Sequence, residues 1–375
     1  PVMHEITITD SGNGQFLPGD TISILGFVTN YLFPAEEVIL RNYSVDNYLE
    51  PLQNNLALGS LGTLETFQVN EGVLRFVVAE DCPLNTQAAI RLEFESDGQI
   101  RNQYITISLH ADFVNIQWND ISTSVGSKSL SAVSGNGLLR GLGFQYNGNS
   151  DLLYECGLMV GLDDSNVADN VRGAGGNDSD FSIVERITRT APFEGSTEQY
   201  QGSFHSGLTN FPILVNQRVI ADSSSENRKF VILEYKLINS TSQNFSNVVA
   251  GIFADWDLIS AGQNGCGYDP ITRIGYVNTL PDTLFGGVQL LNFENATFYA
   301  IDNVPGGNGG YNLYDGFSNA EKNQVMRNIR LNTGAGANGT DVITILSSPP
   351  INLAPSDTQT VAFALLAGNS SEELL

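Results

Sequence analysis

Alternation of apolar and polar residues with period two is the feature that most narrows what this chain can become. Runs of it recur from end to end, broken by clusters of Gly, Asn, Asp, Ser and Pro. That pattern demands half-buried strands joined by turns. Phe230 to Leu258 shows it best. Val231, Leu233, Tyr235 and Leu237 share one parity, while Glu234 and Lys236 stand on the other. Asn239 to Asn244 holds no apolar residue and reads as a turn. Val248 to Trp256 follows, apolar on both parities at first, as in a strand covered on both faces, and leads into Asp255-Trp256-Asp257. The two runs predict an antiparallel hairpin in the middle of a large sheet.

The same reading divides the chain in two. Residues 1–110 carry strands at His4–Thr9, Thr21–Asn30, from Ala35 to Tyr43, and at Val73–Val78, Ala88–Glu95 and Arg101–Leu109. Asp10 to Gly14 reads as a turn, Gly26 as a bulge, and Asp97-Gly98 as a hairpin turn. Short strands at this spacing over roughly 100 residues predict an immunoglobulin-like sandwich. The boundary falls near Ala111. Residues 111–375 predict a larger antiparallel β-sandwich, with strands that include Leu152–Leu162, Phe181–Arg189, Ile213–Ala221 and Thr358–Leu366. One helix stands out before the C-terminus, Ser318–Ile329, where Ser318 and Glu321 have capping-box spacing. The fold class is all-β with few helices.

Charge excludes some partners. The net charge is −24, from 41 acidic and 17 basic residues. A nucleic-acid binder needs a basic footprint, so nucleic acid is not an expected partner. No apolar run reaches spanning length, and insertion into a membrane is not expected. An acidic chain rich in Gly, Asn, Ser and Thr, with only 15% charged residues, has the composition of a secreted or cell-surface β-protein. Cys82, Cys156 and Cys266 form no CxxC motif. They allow one disulfide at most, with Cys156–Cys266 the first pair to test, or three buried thiols. The chain opens on Pro1 and closes on Glu372-Glu373-Leu374-Leu375, which reads as the start of a helix. The expectation is a piece of a longer secreted precursor.

Two resemblances follow from local segments. Leu17-Pro18-Gly19-Asp20-Thr21, Val28-Thr29-Asn30, Leu58-Gly59-Ser60-Leu61-Gly62 and the strand end from Phe76 to Pro83 resemble the cell-adhesion-related bacterial domain and similar immunoglobulin-like modules. That resemblance implies a spacer or binding platform. In the second half, Gly141-Leu142-Gly143-Phe144-Gln145-Tyr146, Gly157-Leu158-Met159-Val160-Gly161, Phe253-Ala254-Asp255-Trp256-Asp257-Leu258 with Gly267-Tyr268-Asp269, and Leu353-Ala354-Pro355-Ser356-Asp357-Thr358 carry another. They resemble the non-catalytic C-terminal β-sandwich region of Bacteroidetes-type secreted subtilisin-like serine peptidases. This implies a multi-domain extracellular setting, often with export by the type IX system.

Little of the chemistry is specific. None of His4, His110 and His205 sits in a glycine-flanked subtilisin pattern, and no GxSxG elbow is present. Calcium takes six to eight hard oxygens from turn-rich loops. The loop from Asp163 to Asp180 offers Asp163, Asp164, Asp169, Asp178 and Asp180, and a second set is Asp255, Asp257 and Asp269 with Asn264 between. Turn aspartates also cap backbone amides, so both readings stand. A glycosidase needs two carboxylates across a cleft, which Asp255 and Asp257 supply only with a partner such as Glu155. Trp256, between two acids, is either a core residue at a strand end or an exposed sugar platform.

Three functions remain. The first is a non-catalytic accessory, spacer or substrate-docking region of a secreted enzyme of the subtilisin-like peptidase kind. Its partners would be other domains of the same precursor and a protein or polysaccharide substrate. The second is a surface carbohydrate-binding or adhesion module, and the third a calcium-dependent hydrolase centred on Asp255, Asp257 and Asp269.

Overall fold

A computed structural model of the chain describes residues 1–10, 15–131, 141–149, 152–191 and 197–374. Two compact units, Pro1–Asp112 and Phe113–Leu375, are built mainly of antiparallel strands. The turn expected over Asp10 to Gly14 lies mostly outside the described residues.

The first unit is a sandwich of two four-stranded sheets. Its strands are β1 (Val2–Asp10), β2 (Thr21–Thr29), β3 (Ala35–Ser44), β4 (Leu49–Gln53), β5 (Asn55–Leu61), β6 (Thr66–Val78), β7 (Thr86–Ser96) and β8 (Gln99–Leu109). One sheet runs β1-β2-β6-β4 and the other β5-β3-β7-β8. Alternating residues from both, among them Ile22, Ile24, Leu40, Leu74, Phe76, Ile90 and Leu92, form one buried core. Gly26 is the bulge its position predicts: the β2–β6 register slips between Ile24 and Gly26, and its φ is +155°. A Cβ there would lie 2.8 Å from the His4 carbonyl oxygen. Asp97 and Gly98 both have positive φ, as a two-residue hairpin turn requires.

The second unit is larger. In chain order it holds β9 (Phe113–Ile116), β10 (Ile121–Gly126), β11 (Leu130–Ser131), β12 (Phe144–Tyr146), β13 (Leu153–Asp163), β14 (Asn166–Ala168), β15 (Phe181–Thr190), β16 (Thr197–Ser206), β17 (Leu214–Asp222), β18 (Phe230–Ile238) and β19 (Phe245–Trp256). Then come β20 (Asn264–Asp269), β21 (Ile274–Thr279), β22 (Phe285–Leu290), β23 (Thr297–Asp302), α1 (Asn319–Val325), β24 (Val342–Ser347), β25 (Ile351–Leu353), β26 (Thr358–Gly368) and α2 (Ser371–Leu374). A ten-stranded sheet runs β12-β10-β11-β13-β19-β24-β23, with β9, β14 and β25 off that path. An eight-stranded sheet runs β15-β16-β17-β18-β26-β22-β21-β20.

This corrects the central hairpin. β18 and β19 are both strands, but they do not pair. β18 lies between β17 and β26, and β19 between β13 and β24. The turn after β18 therefore carries the chain from one sheet to the other. Asn239 anchors that crossing: its buried Nδ2 donates to the carbonyls of Gln243, Leu353 and Ala354. Alternation reveals strands but does not name their partners, because each parity is satisfied by any apolar neighbour.

The inner faces of the two sheets share one core, with Leu158, Val160, Ile252, Ala254 and Trp256 from one side and Val219, Val231, Tyr235, Phe363 and Leu365 from the other. Trp256 is fully buried, donates its Nε1–H to Thr344 Oγ1 at 2.9 Å, and meets Phe144 edge-on. Space for its ring comes from Gly286 on β22, where a Cβ would sit 2.4 Å from a ring carbon. Gly286→Ala should therefore lower stability by about 1–3 kcal/mol through overpacking. Urea unfolding measures it, and an unchanged midpoint would show that the indole does not fill this gap.

Candidate functional site

The residues with most chemistry lie on the outer face of the ten-stranded sheet. Glu155, Gly157, Met159 and Gly161 of β13 point away from the shared core, as do Gly251, Phe253 and Asp255 of β19. Strand pairing sets Glu155 beside Asp255 and Gly157 beside Phe253. The glycines let a cover approach closely. A Cβ at Gly157 would lie 2.6 Å from Val171, and one at Gly161 2.7 Å from Met326. That cover is the segment from Asp164 to Asp180 together with α1 and its flanks. Ser318 caps α1 with Glu321 in a capping box, as its spacing predicts, but the helix ends at Val325 rather than running to Ile329.

Between cover and sheet sits a sealed ammonium. Lys322 is fully buried and donates to Asp169 Oδ1 at 2.6 Å and Asp178 Oδ2 at 2.7 Å. The Phe317 ring lies 5.6 Å from its Nζ. Asp180 accepts from the Asp169 amide at 3.2 Å. Oxygens of Asp169, Asp178 and Asp180 lie within 4.8 Å of one another, the spacing of a metal cluster. The set does not fit calcium as it stands, because Lys322 already supplies the positive charge at its centre. Burial pushes Asp169 up to about 7, against the attraction of Lys322, while Asp178 and Asp180 push it further.

A second group lies at the end of β19. Arg172 donates to Asn303 Oδ1 at 2.9 Å and pairs with Asp255 at 3.4 Å. Asn303 in turn donates to Asp341 Oδ2 at 3.0 Å, and Asn177 donates to Glu155. Asp255 and Glu155 are 2% and 3% exposed. Burial raises Asp255 well above the ordinary carboxylate range, and Asp341, Asp257 and Glu155 add repulsion that Arg172 only partly offsets. Burial also raises Glu155, and lifts Asp341 to about 6. Repulsion among these carboxyl groups, with one guanidinium between them, opposes their full ionisation.

The remaining sequence candidates stand elsewhere. Asp163 closes the β13–β14 turn: burial opposes its charge, but bonds from Ser165 and Asn166 outweigh it and hold the carboxyl low. Asp164 accepts from Asn323 at 2.8 Å. Asp269 belongs to the other sheet, where Thr272 and Ile271 bond its carboxylate and lower its pKa. It therefore does not join Asp255 and Asp257. Asn264 pins the intervening loop through Leu258 and Ser260. The buried Trp256 is no exposed sugar platform, because its parity points into the shared core. All three cysteines are free thiols, so the Cys156–Cys266 pairing is overturned: Cys156 lies in one sheet and Cys266 in the other. Lys322, Arg172, Asn303 and Asp341 were not singled out by sequence. One signal existed for Lys322, which lies three and four residues before Val325 and Met326 on the apolar face of α1.

Fold and charge pattern together define an all-β protein of two units whose larger unit carries buried, internally paired charges. No family model and no curated protein matches the chain. Among solved structures, a bacterial glucoamylase complexed with acarbose is similar at 9% identity and a TM-score of 0.42, covering 68% of this chain and 31% of that one. A putative kojibiose phosphorylase from human microbiome is similar at 10% identity and a TM-score of 0.36, covering 69% and 31%. The chain thus spans less than a third of either protein, and at that distance neither likeness assigns a role to a residue here.

Two outcomes follow from the buried charges. Lys322→Met strands two acids and should cost about 3–5 kcal/mol near neutral pH. Denaturant unfolding should show that loss shrinking at lower pH, where the acids take up protons, while calcium or chelator leaves the parent's midpoint unmoved. The second concerns pH. A carboxyl with a raised folded pKa binds more protons folded than unfolded, so its contribution is present at low pH and lost as pH rises through the folded value. For Asp341 that loss runs from 3.8 to about 6, and for Asp169 from 3.8 to about 7. The melting temperature should therefore be higher at about pH 5 than at about pH 7.5, and Asp341→Asn should flatten part of that slope.

Proposed function

We propose that the chain is a non-catalytic accessory and substrate-docking region of a secreted multi-domain enzyme. The observation that supports this is the burial of its reactive groups. Asp169 and Lys322 are inaccessible, and Asp255 and Glu155 nearly so. A general acid or nucleophile must come within hydrogen-bond reach of a substrate atom, and these groups reach one another instead. Their work is to hold the cover on the sheet. The peptidase-like parent and the extracellular setting rest on the sequence resemblances alone.

A second reading, a hydrolase, is favoured by one observation. Glu155, Asp255 and Asp341 come from three different elements, converge, and all have raised pKa values. Asp341 is half-buried, the least buried of the three. An assay of the purified chain separates the two. The chain is incubated with denatured protein and with neutral and acidic polysaccharides at about pH 5 and about pH 7. No release of peptides or reducing ends above blank is the expected result. Turnover that disappears in both Asp255→Asn and Asp341→Asn would establish the hydrolase instead.

A further inference from the structure

The outer face of the eight-stranded sheet differs from that of its partner. Over β15 to β18 it holds a cavity of about 450 Å³ whose lining, apart from Gly202, is wholly polar. Strand register explains the arrangement. Thr188, Gln201, Arg218 and Glu234 stand opposite one another on four successive strands. With neighbouring strands about 4.8 Å apart, that row is about 14 Å long, the span of several sugar rings. Asn216 and Lys236 form the next row. At one end β15 slips register twice, between Ile183 and Glu185 and between Glu185 and Thr188, and brings Glu185 and Arg186 to the cavity. Bulges of this kind re-aim side chains beside binding sites.

Charge and hydrogen bonding point to one ligand class. The chain carries −24, yet this lining has three cations, Arg186, Arg218 and Lys236, against two carboxylates, Glu185 and Glu234. Arg218 pairs with Glu234 at 2.7 Å. Lys236 is exposed and, among the described residues, is in no ion pair. Gln217, by contrast, shares the parity of Val215 and Val219 and turns its side chain toward the shared core. The lining offers no apolar anchor for a peptide side chain. Amide and carboxylate groups in rows suit the hydroxyls of a sugar chain, and the surplus cation suits an acidic group on it.

We infer that this sheet face binds an acidic polysaccharide, with Lys236 receiving a sugar carboxylate and Gln201 and Asn216 bonding ring hydroxyls. The inference rests on the docking function proposed above. No aromatic platform contributes, so binding is electrostatic in character and weakens with salt.

Polygalacturonate and its fully methyl-esterified form test this, since they share a sugar backbone and differ in charge. Titration calorimetry of the whole chain should show binding of the acid form, and binding at least roughly tenfold weaker for the ester and for Lys236→Met, the worth of one charge-assisted bond. Asn216→Ala should also weaken it, and raised salt should abolish it. Lys236 is exposed, so its variant should keep the parent's melting temperature. Equal binding of acid and ester, unchanged binding by Lys236→Met, or no binding of polygalacturonate, alginate or chondroitin sulfate would each overturn the inference. So would inorganic sulfate binding as tightly as the polymer, because the site would then be one for simple anions. Reducing ends are counted in the same samples. Binding with cleavage would overturn the non-catalytic reading and leave this face in place, and absence of both binding and cleavage would do the reverse.

Discussion

A strand buried on both faces needs two covers, and β19 is such a strand from Val248 to Trp256. Its inner side is met by the second sheet, where Trp256 and its neighbours find apolar partners. Its outer side, with Phe253 and Asp255, must be met by something else. The chain supplies the segment after β13 and the long connection after β23, which includes α1. Phe317 packs against Phe253, and Arg327 bonds the carbonyls of Gly161, Leu162 and Asn247. Much of what looks like chemistry in the sequence is the means by which these irregular segments are held down.

The means is electrostatic because loops carry polar groups that a sheet face cannot satisfy by itself. Three buried acids, Asp169 in the cover and Asp255 and Asp302 in the sheet, each face a cation. Lys322 serves Asp169 and Asp178, Arg172 serves Asp255, and Arg330 serves Asp302 at 2.9 Å. Pairs of this kind add little net stability over apolar substitutes, but they fix one arrangement, since removing either partner leaves an uncompensated charge. Lys322 also occupies the place where three aspartates would otherwise attract a divalent ion. A protein whose surface is strongly acidic thus keeps some of its few cations inside.

The two sheets of the larger unit therefore present different outer faces. The ten-stranded sheet spends its outer face on the covering segments. On the eight-stranded sheet, α2 brings Leu374 against Ile274, Phe285 and Leu366. Around the cavity on β15 to β18 the face is polar. The docking role proposed above would use that second surface, where charged side chains remain accessible on a strand-borne frame.

Much was legible in the sequence. The all-β class, Gly26 as a bulge, Asp97-Gly98 as a turn and the Ser318 cap were readable because alternation, glycine and capping are local signals, set within a few residues by backbone sterics and hydrogen bonding. Trp256 as a core residue was one of two open readings. What could not be read were the relations between distant residues: that β18 and β19 lie in different sheets, that Asp255 meets Arg172 while Asp269 lies in the other sheet, and that Asp169 meets Lys322 across more than a hundred residues of chain. A carboxylate on a turn has the same local signature whether it caps an amide, holds a metal or faces a lysine. Sequence alone determined which segments become strands and which of their faces are apolar. Tertiary structure alone decided which faces meet and which charges are shut in together, because burial and pairing depend on what arrives from elsewhere in the chain.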